Sequence, residues 1–404
     1  MKHITRMAAA LIAVGMLAPA AFAQKAHGPG VTDTEIKIGN IMPYSGPASA
    51  YGTIGKTEAA FFRMINDKGG INGRKINFIS NDDAYSPPKA VEQARKLVES
   101  EGVLMIYNAL GTPSNTAIQR YLNERKVPQL FLATGATKWD DPKTYPWTMG
   151  WQPSYQAEGR IYAQYILKNM PDAKIAILSQ NDDFGKDYVK GFMDGLNGKL
   201  KPVIHLTYEV GDPTIDSQMV RLKDSGANVF YDVTTPKFAS QAIRKAKEMN
   251  WGATHFLANV SASIGSVFKP AGYESGQGVL STAYMKDATD PSWKDDAGFK
   301  NWSAFMDKYM PDADRTNGNH VYGYNVAQTL VYVLQKCGDD LSRENVMKQA
   351  ASIKDLQLEM LLPGVLINTS ATDFAPIQQE QMIRFKGESW ERFGPVYDAA
   401  QSNG

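Results

Sequence analysis

Two doubly wound α/β lobes, parallel-sheet in character and joined by crossing segments, are what this sequence predicts, and three observations predict them. Strand-like and helix-like segments alternate from Glu35 to Ala258 with Gly, Pro and Asn turns between them, a spacing that implies parallel strands and right-handed crossovers. The chain has 404 residues, 43% of them apolar, which exceeds one ordinary core and can supply two. From about Asp287 the alternation gives way to helices and late strands, so the chain crosses between lobes more than once.

The first lobe opens with the alternating strand Glu35 to Gly39, a Gly/Pro/Ser loop and a helix from Lys56 to Asp67. Gly69-Gly70 stops that helix and Asn72-Gly73 turns the chain into a strand at Lys75 to Ser80. Ala90, Val91, Ala94, Leu97 and Val98 repeat at helical spacing. A short buried strand at Leu104 to Tyr107, a helix over Ser114 to Glu124 and a strand at Gln129 to Ala133 complete the lobe. The second series predicts helices at Gln156–Asn169, Gly185–Leu196, Ser217–Asp224 and Lys237–Met249. Its strands are Lys174–Leu178, Val203–Tyr208, Asn228–Val233, His255–Ala258 and Gly278–Thr282. Helices at Asp296–Tyr309, Val321–Gln335 and Arg343–Ala351 follow, then strands at Met360–Asn368 and Met382–Phe385.

The amino terminus reads as a secretory leader. Lys2 and Arg6 precede an apolar run from Met7 to Leu17 that is too short to span a bilayer, and Ala21-Phe22-Ala23 suits cleavage before Gln24. No Cys sits near that point to carry a lipid, so the expectation is a free exported protein working in a periplasm. Charge is balanced, 43 Lys and Arg against 42 Asp and Glu, which leaves no electrostatic footprint for nucleic acid or an anionic membrane. Beyond the leader no apolar stretch is long enough to insert in a membrane. The lone Cys337 permits no internal disulfide and reads as a packed thiol.

Nothing in the chain demands catalysis. HExxH, GxSxG, GxxxxGK[ST] and GxGxxG are all missing, and His27, His205, His255 and His320 are scattered without metal or triad spacing. No metal or other cofactor is expected. His320, just before a helix, reads as a capping or surface group, and Asp82-Asp83 as loop and helix-start hydrogen bonding. Two loops do look built for an anion. In Gly111-Thr112-Pro113-Ser114-Asn115, Thr112 stands at a natural N-cap and Pro113 at the next position, so a helix start offers free N–H groups at the carboxyl end of a strand. Ala133-Thr134-Gly135-Ala136-Thr137 repeats that chemistry after the next strand, where open α/β sheets bind ligands.

These loops, taken with Tyr51-Gly52, Ile71-Asn72-Gly73-Arg74, Asp82-Asp83, Asp183-Phe184-Gly185, Asn228-Val-Phe-Tyr-Asp232, Thr282-Ala283-Tyr284 and Tyr322-Gly-Tyr-Asn-Val-Ala-Gln328, resemble the periplasmic leucine/isoleucine/valine-binding proteins of ABC importers over nearly the whole mature chain. The resemblance implies the type I periplasmic binding protein fold, two lobes on a three-crossover hinge that close on a ligand. It implies that Gly111, Thr112, Gly135, Ala136 and Thr137 hold a ligand carboxylate, that Tyr51 packs on the ligand body, and that Phe184 and the residues from Tyr231 to Thr234 act from the second lobe. It also implies an inner-membrane ABC permease as partner, and a monomer is expected.

One departure matters. Where amino-acid binders carry an acid for the ligand's ammonium, this chain has Asn259-Val260-Ser261. A buried ammonium without a carboxylate is expensive. Either Asp232 or Asp183 replaces the missing acid, or the ligand is an aromatic or apolar acid with no amino group. A branched-chain or other amino acid binder, and a ligand sensor on the same fold, stay open as alternatives. The crossovers are expected near Thr148 to Trp151, Thr282 to Met285 and Pro363 to Ile367. Lobe one would then be 33–149 with 286–362, and lobe two 150–285 with 363–398.

Overall fold

The computed structural model describes residues 27–399, so the leader and its cleavage point lie outside the described residues. Among the described residues twelve strands form two sheets, and ten longer helices accompany them. The first is wholly parallel, in the order β2-β1-β3-β4-β5, from β1 (Glu35–Met42), β2 (Lys75–Asp82), β3 (Met105–Tyr107), β4 (Gln129–Leu132) and β5 (Thr148–Gly150). Strands β3, β4 and the edge strand β5 are buried at every position, because helices cover both faces of a parallel sheet. Those covers include α1 (Gly52–Asp67), α2 (Pro87–Arg95) and α3 (Thr112–Glu124).

The second sheet has the order β12-β11-β10-β9-β8-β6-β7. Its parallel part is β6 (Ile175–Gln180), β7 (Pro202–Tyr208), β8 (Val229–Val233), β9 (Thr254–Leu257) and β10 (Leu280–Ala283). The antiparallel hairpin β11 (Gln379–Lys386) and β12 (Ser389–Asp398) extends it beyond β10. Helices α4 (Tyr155–Asn169), α5 (Asp183–Leu196), α6 (Asp216–Asp224) and α7 (Pro236–Glu248) cover it, and a single turn, α8 (Lys269–Ala271), follows β9. β7 shows how position sets pattern: at the sheet's edge it alternates half-buried and exposed residues, whereas β6 and β8 beside it are buried throughout.

After β10 the chain returns to the first sheet with α9 (Ala297–Tyr309), α10 (Asn319–Cys337) and α11 (Arg343–Ala350). Val321, Val326, Leu330 and Leu334 of α10 join Ile36, Met42 and Phe62 in one core. The chain therefore passes between the sheets after β5, after β10 and between α11 and β11. Met360 to Asn368, expected as a strand, forms only isolated bridges, Leu361 to Met285 and Ile367 to Leu356. Pro363 and Gly364 interrupt the run, and the segment serves as a linker rather than a ladder. Cys337 is buried, and burial pushes its thiol pKa up to about 12. No described helix is long and apolar enough to cross a membrane.

Candidate functional site

A cleft runs between the carboxyl ends of the two sheets. One wall carries Tyr51, Tyr85, Leu110, Gly111, Thr112 and Ala133; the other carries Tyr155, Phe184, Thr235, Asn259 and Val260. The lobes touch across it. The Tyr51 hydroxyl donates to the Val260 carbonyl at 3.1 Å, and the Gln180 amide donates to the Tyr85 hydroxyl at 3.3 Å. On the rim, Lys138 pairs with Asp183 at 2.9 Å and donates to the Thr116 hydroxyl at 2.6 Å.

Backbone geometry places the first anion loop. α3 begins one residue earlier than the sequence suggests: Gly111, at φ +96°, is the N-cap, and Thr112 is the first helical residue. A Cβ at Gly111 would meet the Tyr85 ring at 2.6 Å, so the loop lies flat on that ring only because the residue is glycine. Tyr85 itself sits at φ +60°, uncommon for a bulky side chain. Asp83 holds it there, accepting the Tyr85 N–H at 2.9 Å with one oxygen and the Ser114 hydroxyl at 2.7 Å with the other. Asp82 likewise accepts the amides of Tyr44, Ser45 and Ala84, so this acidic pair does loop work.

Thr112 is buried, and its hydroxyl lies 2.6 Å from that of Thr134. The Thr134 oxygen accepts from the Ala136 amide at 3.4 Å and from the Trp139 indole N–H at 3.3 Å. The two hydroxyls bond each other, and either can be the donor. The first amides of α3 add unpaired donors and a partial positive charge.

The second loop is used differently. A Cβ at Gly135 would meet the Pro153 carbonyl at 2.2 Å, and its own carbonyl accepts the Tyr155 amide at 2.8 Å. Thr137 gives its amide at 2.8 Å and its hydroxyl at 3.1 Å to the carboxylate of Asp187 on α5. Gly135, Ala136 and Thr137 do not line the cleft, whereas Gly111, Thr112, Tyr51, Phe184 and Val260 do.

Tyr231 and Asp232 also stand away from it. Both lie on β8, and the strand's alternation sends them to opposite faces inside the lobe. Tyr231 stacks on Phe192 at 4.3 Å, and Asp232 meets the His255 ring nitrogen at 2.9 Å, both residues fully buried. Asp183 is spent on Lys138 at the rim. His320, expected at a cap or the surface, is buried in the first turn of α10, where it bonds the Thr57 hydroxyl at 2.9 Å; burial lowers its pKa to about 4.

The composition of the sequence drew no attention to Tyr85, Tyr155, Gln152 or Gln180. Tyr155 stacks on Tyr188 at 4.2 Å and meets Phe184 edge-on at 5.5 Å, which gives the second wall its aromatic surface. The acid nearest the 259–260 turn is Glu158. It accepts the Asn259 amide at 2.7 Å and the hydroxyls of Tyr162 and Tyr188, and burial raises its pKa to about 7. It does not reach the cleft wall. Among the described residues no group of three or more His, Cys, Asp and Glu could hold a metal ion.

Two lobes closing on an apolar cleft lined with rings, hydroxyls and amides define a protein that encloses a small ligand. The family profile described as periplasmic binding protein matches residues 35–388. The Leu/Ile/Val-binding protein homolog 3 of Brucella melitensis is 29% identical over 55% of this chain, and the chain spans 58% of that relative's length. The Leu/Ile/Val-binding protein homolog 1 of Brucella abortus is 25% identical over 79% of this chain and 84% of the relative.

Solved structures share the fold. A branched chain amino acid ABC transporter from Thermus thermophilus with bound valine has a TM-score of 0.83 at 15% identity, covering 92% of this chain and 98% of that one. A fatty acid ABC transporter substrate-binding protein from Thermomonospora curvata scores 0.78 at 20% identity, covering 92% and 94%. A solute-binding protein from R. palustris in complex with benzoate scores 0.75 at 20% identity, covering 90% and 98%. The chain belongs to the periplasmic binding protein family. Its relatives are substrate-binding proteins, and the chain is a substrate-binding protein of that family and not an enzyme.

Proposed function

We propose that this protein works in the periplasm, capturing a small carboxylate with an aromatic or apolar body and delivering it to an ABC permease. Thr112 and the start of α3 take the carboxylate, Tyr51, Tyr85, Tyr155 and Phe184 enclose the body, and closure of the lobes brings the 260 turn onto Tyr51. The lobes would hinge at the three chain passages, near residues 148–151, 282–285 and 363–367.

The observation that carries this reading is the chemistry of the inner cleft. Its lining residues from Tyr51 to Val260 include no carboxylate. The cleft's acids are Asp287, already accepting from Thr289, Ser389 and Trp390, and Asp290, which caps the Ser292 amide. Val260 falls where the resemblance puts an ammonium partner, and Glu158 behind it is fully engaged. A ligand ammonium enclosed there would be desolvated without a counter-charge. Relatives of this fold are described with benzoate, fatty acid and valine, so the scaffold suits acids with and without an amino group.

A thermal-shift screen over amino acids, aromatic acids and short aliphatic acids tests this. A ligand at 100 times its Kd stabilises the folded state by about 2.7 kcal/mol, roughly 5–10 °C for cores of this size. Benzoate-type or aliphatic acids should raise the melting temperature and leucine or valine should not; a shift with the amino acids alone refutes the reading.

A further inference from the structure

The cleft continues beyond the Thr112 loop, and its far end has another chemistry. The lining residues from Tyr51 to Val260 include no charged side chain, but at the passage after β10 and on the hairpin the wall holds Lys286, Asp287, Asp290, Trp293, Trp390 and Arg392. Trp293 is nearly buried and receives both cations on its ring, Arg392 at 4.3 Å and Lys286 at 5.1 Å from the centroid. The two cations differ in what answers them. Lys286 is buried, paired with Asp296 at 2.6 Å and bonded to the Glu359 carbonyl at 2.8 Å, which leaves one of three donors. Arg392 is exposed, and among the described residues its guanidinium has no carboxylate and no hydrogen-bond acceptor; the Trp293 ring is its contact.

The acids of this end do not cancel it. Asp287 already accepts the amide and hydroxyl of Thr289, the Ser389 hydroxyl and the Trp390 amide. Asp290 caps the Ser292 amide and pairs with no cation. A guanidinium over an indole at 4.3 Å, with its five donors open, presents a planar fork that matches a carboxylate.

We infer that Arg392, with the spare donor of Lys286, forms a second anion subsite, and that the ligand is an elongated diacid. One carboxylate sits at Thr112, the apolar body lies along the rings, and the second carboxylate meets Arg392. This rests on the carboxylate reading above and narrows it. Asp290 offers the competing chemistry, a distal ammonium, and the same experiment distinguishes the two.

Calorimetry on the full mature chain should compare matched probes: octanoate, octanedioate and 8-aminooctanoate, and benzoate with terephthalate. At least one diacid should bind tenfold or more tighter than its monoacid. Arg392→Gln should remove that advantage while leaving the monoacid Kd and the ligand-free melting temperature unchanged, and Arg392→Lys should retain part of it. Monoacids binding as tightly as diacids, a diacid advantage that survives Arg392→Gln, or preference for 8-aminooctanoate would each overturn the subsite alone. Silence from every acid, mono and di, would overturn the carboxylate reading and the subsite together.

Discussion

Replacing Thr112 by valine removes one oxygen and keeps the shape, which makes it a sharp probe of the first loop. Thr112 is 1% exposed, it lines the cleft, and its hydroxyl lies 2.6 Å from that of Thr134. Two losses should follow. The ligand carboxylate loses a charge-assisted donor, costing about 1–3 kcal/mol, a 5- to 150-fold rise in Kd. The buried Thr134 hydroxyl loses its hydrogen-bond partner, which costs stability on the order of 1–3 kcal/mol even without ligand. Thr112→Ser keeps the oxygen and should keep most of both. Calorimetry with benzoate or octanoate reads the first effect, and a ligand-free thermal melt reads the second. If Thr112→Val folds and binds within twofold of the wild type, the Thr112 hydroxyl does not hold the ligand's carboxylate.

Three further outcomes are expected. Gly111→Ala must adopt φ near +96° and put a methyl group into the Tyr85 ring, so it should destabilise by about 1–3 kcal/mol and weaken binding; an unchanged melting temperature would contradict the close packing there. Burial raises the Glu158 carboxyl to about 7 from an ordinary 4.5, so the folded state holds a proton that the unfolded chain releases between those values, and this contribution to stability falls as pH rises through that window. The stability of Glu158→Gln relative to the wild type should therefore improve from pH 5 to pH 8, and chemical denaturation showing a constant difference would refute the assignment. Lys138 and Asp183 are partly exposed and clasp the rim, so Lys138→Ala should speed ligand release by no more than about fivefold at low salt, with no effect left at 1 M salt in stopped-flow measurements.

The sequence shows the fold more plainly than the site, for physical reasons. Alternation of apolar runs with turns is enforced by burial along every strand, so the segments around β1, β8 and α10 are visible from composition alone. Met360 to Asn368 deceives because its apolar residues pack into the lobe-one core without any ladder partner. Gly111 and Thr112 were legible because a helix start after a strand has few uses other than binding or capping. Thr137 follows the same local pattern, but its donors meet Asp187, fifty residues on, and nothing local announces that partner. Tyr231 and Asp232 look like site residues on a strand, yet the pleat turns both into the lobe's interior. Tyr85 could have been suspected from Asp82-Asp83 ahead of it, since Asp side chains bonding a backbone two residues on support left-handed turns. The far end of the cleft joins residues 286–293 to residues 390–392, a pairing only the tertiary fold makes.

The central claim is that the cleft takes a carboxylate without an amino group, and matched calorimetry tests it most directly. Purified protein, unfolded and refolded to strip bound ligand, should be titrated with leucine, valine, benzoate and octanoate in one buffer. With Val260 in the turn that closes on Tyr51, and the cleft's two acids, Asp287 and Asp290, bonded to the protein's own groups, heat of binding should come from benzoate or octanoate and not from leucine or valine. Tight binding of leucine or valine, with no response to the simple acids, would contradict the account.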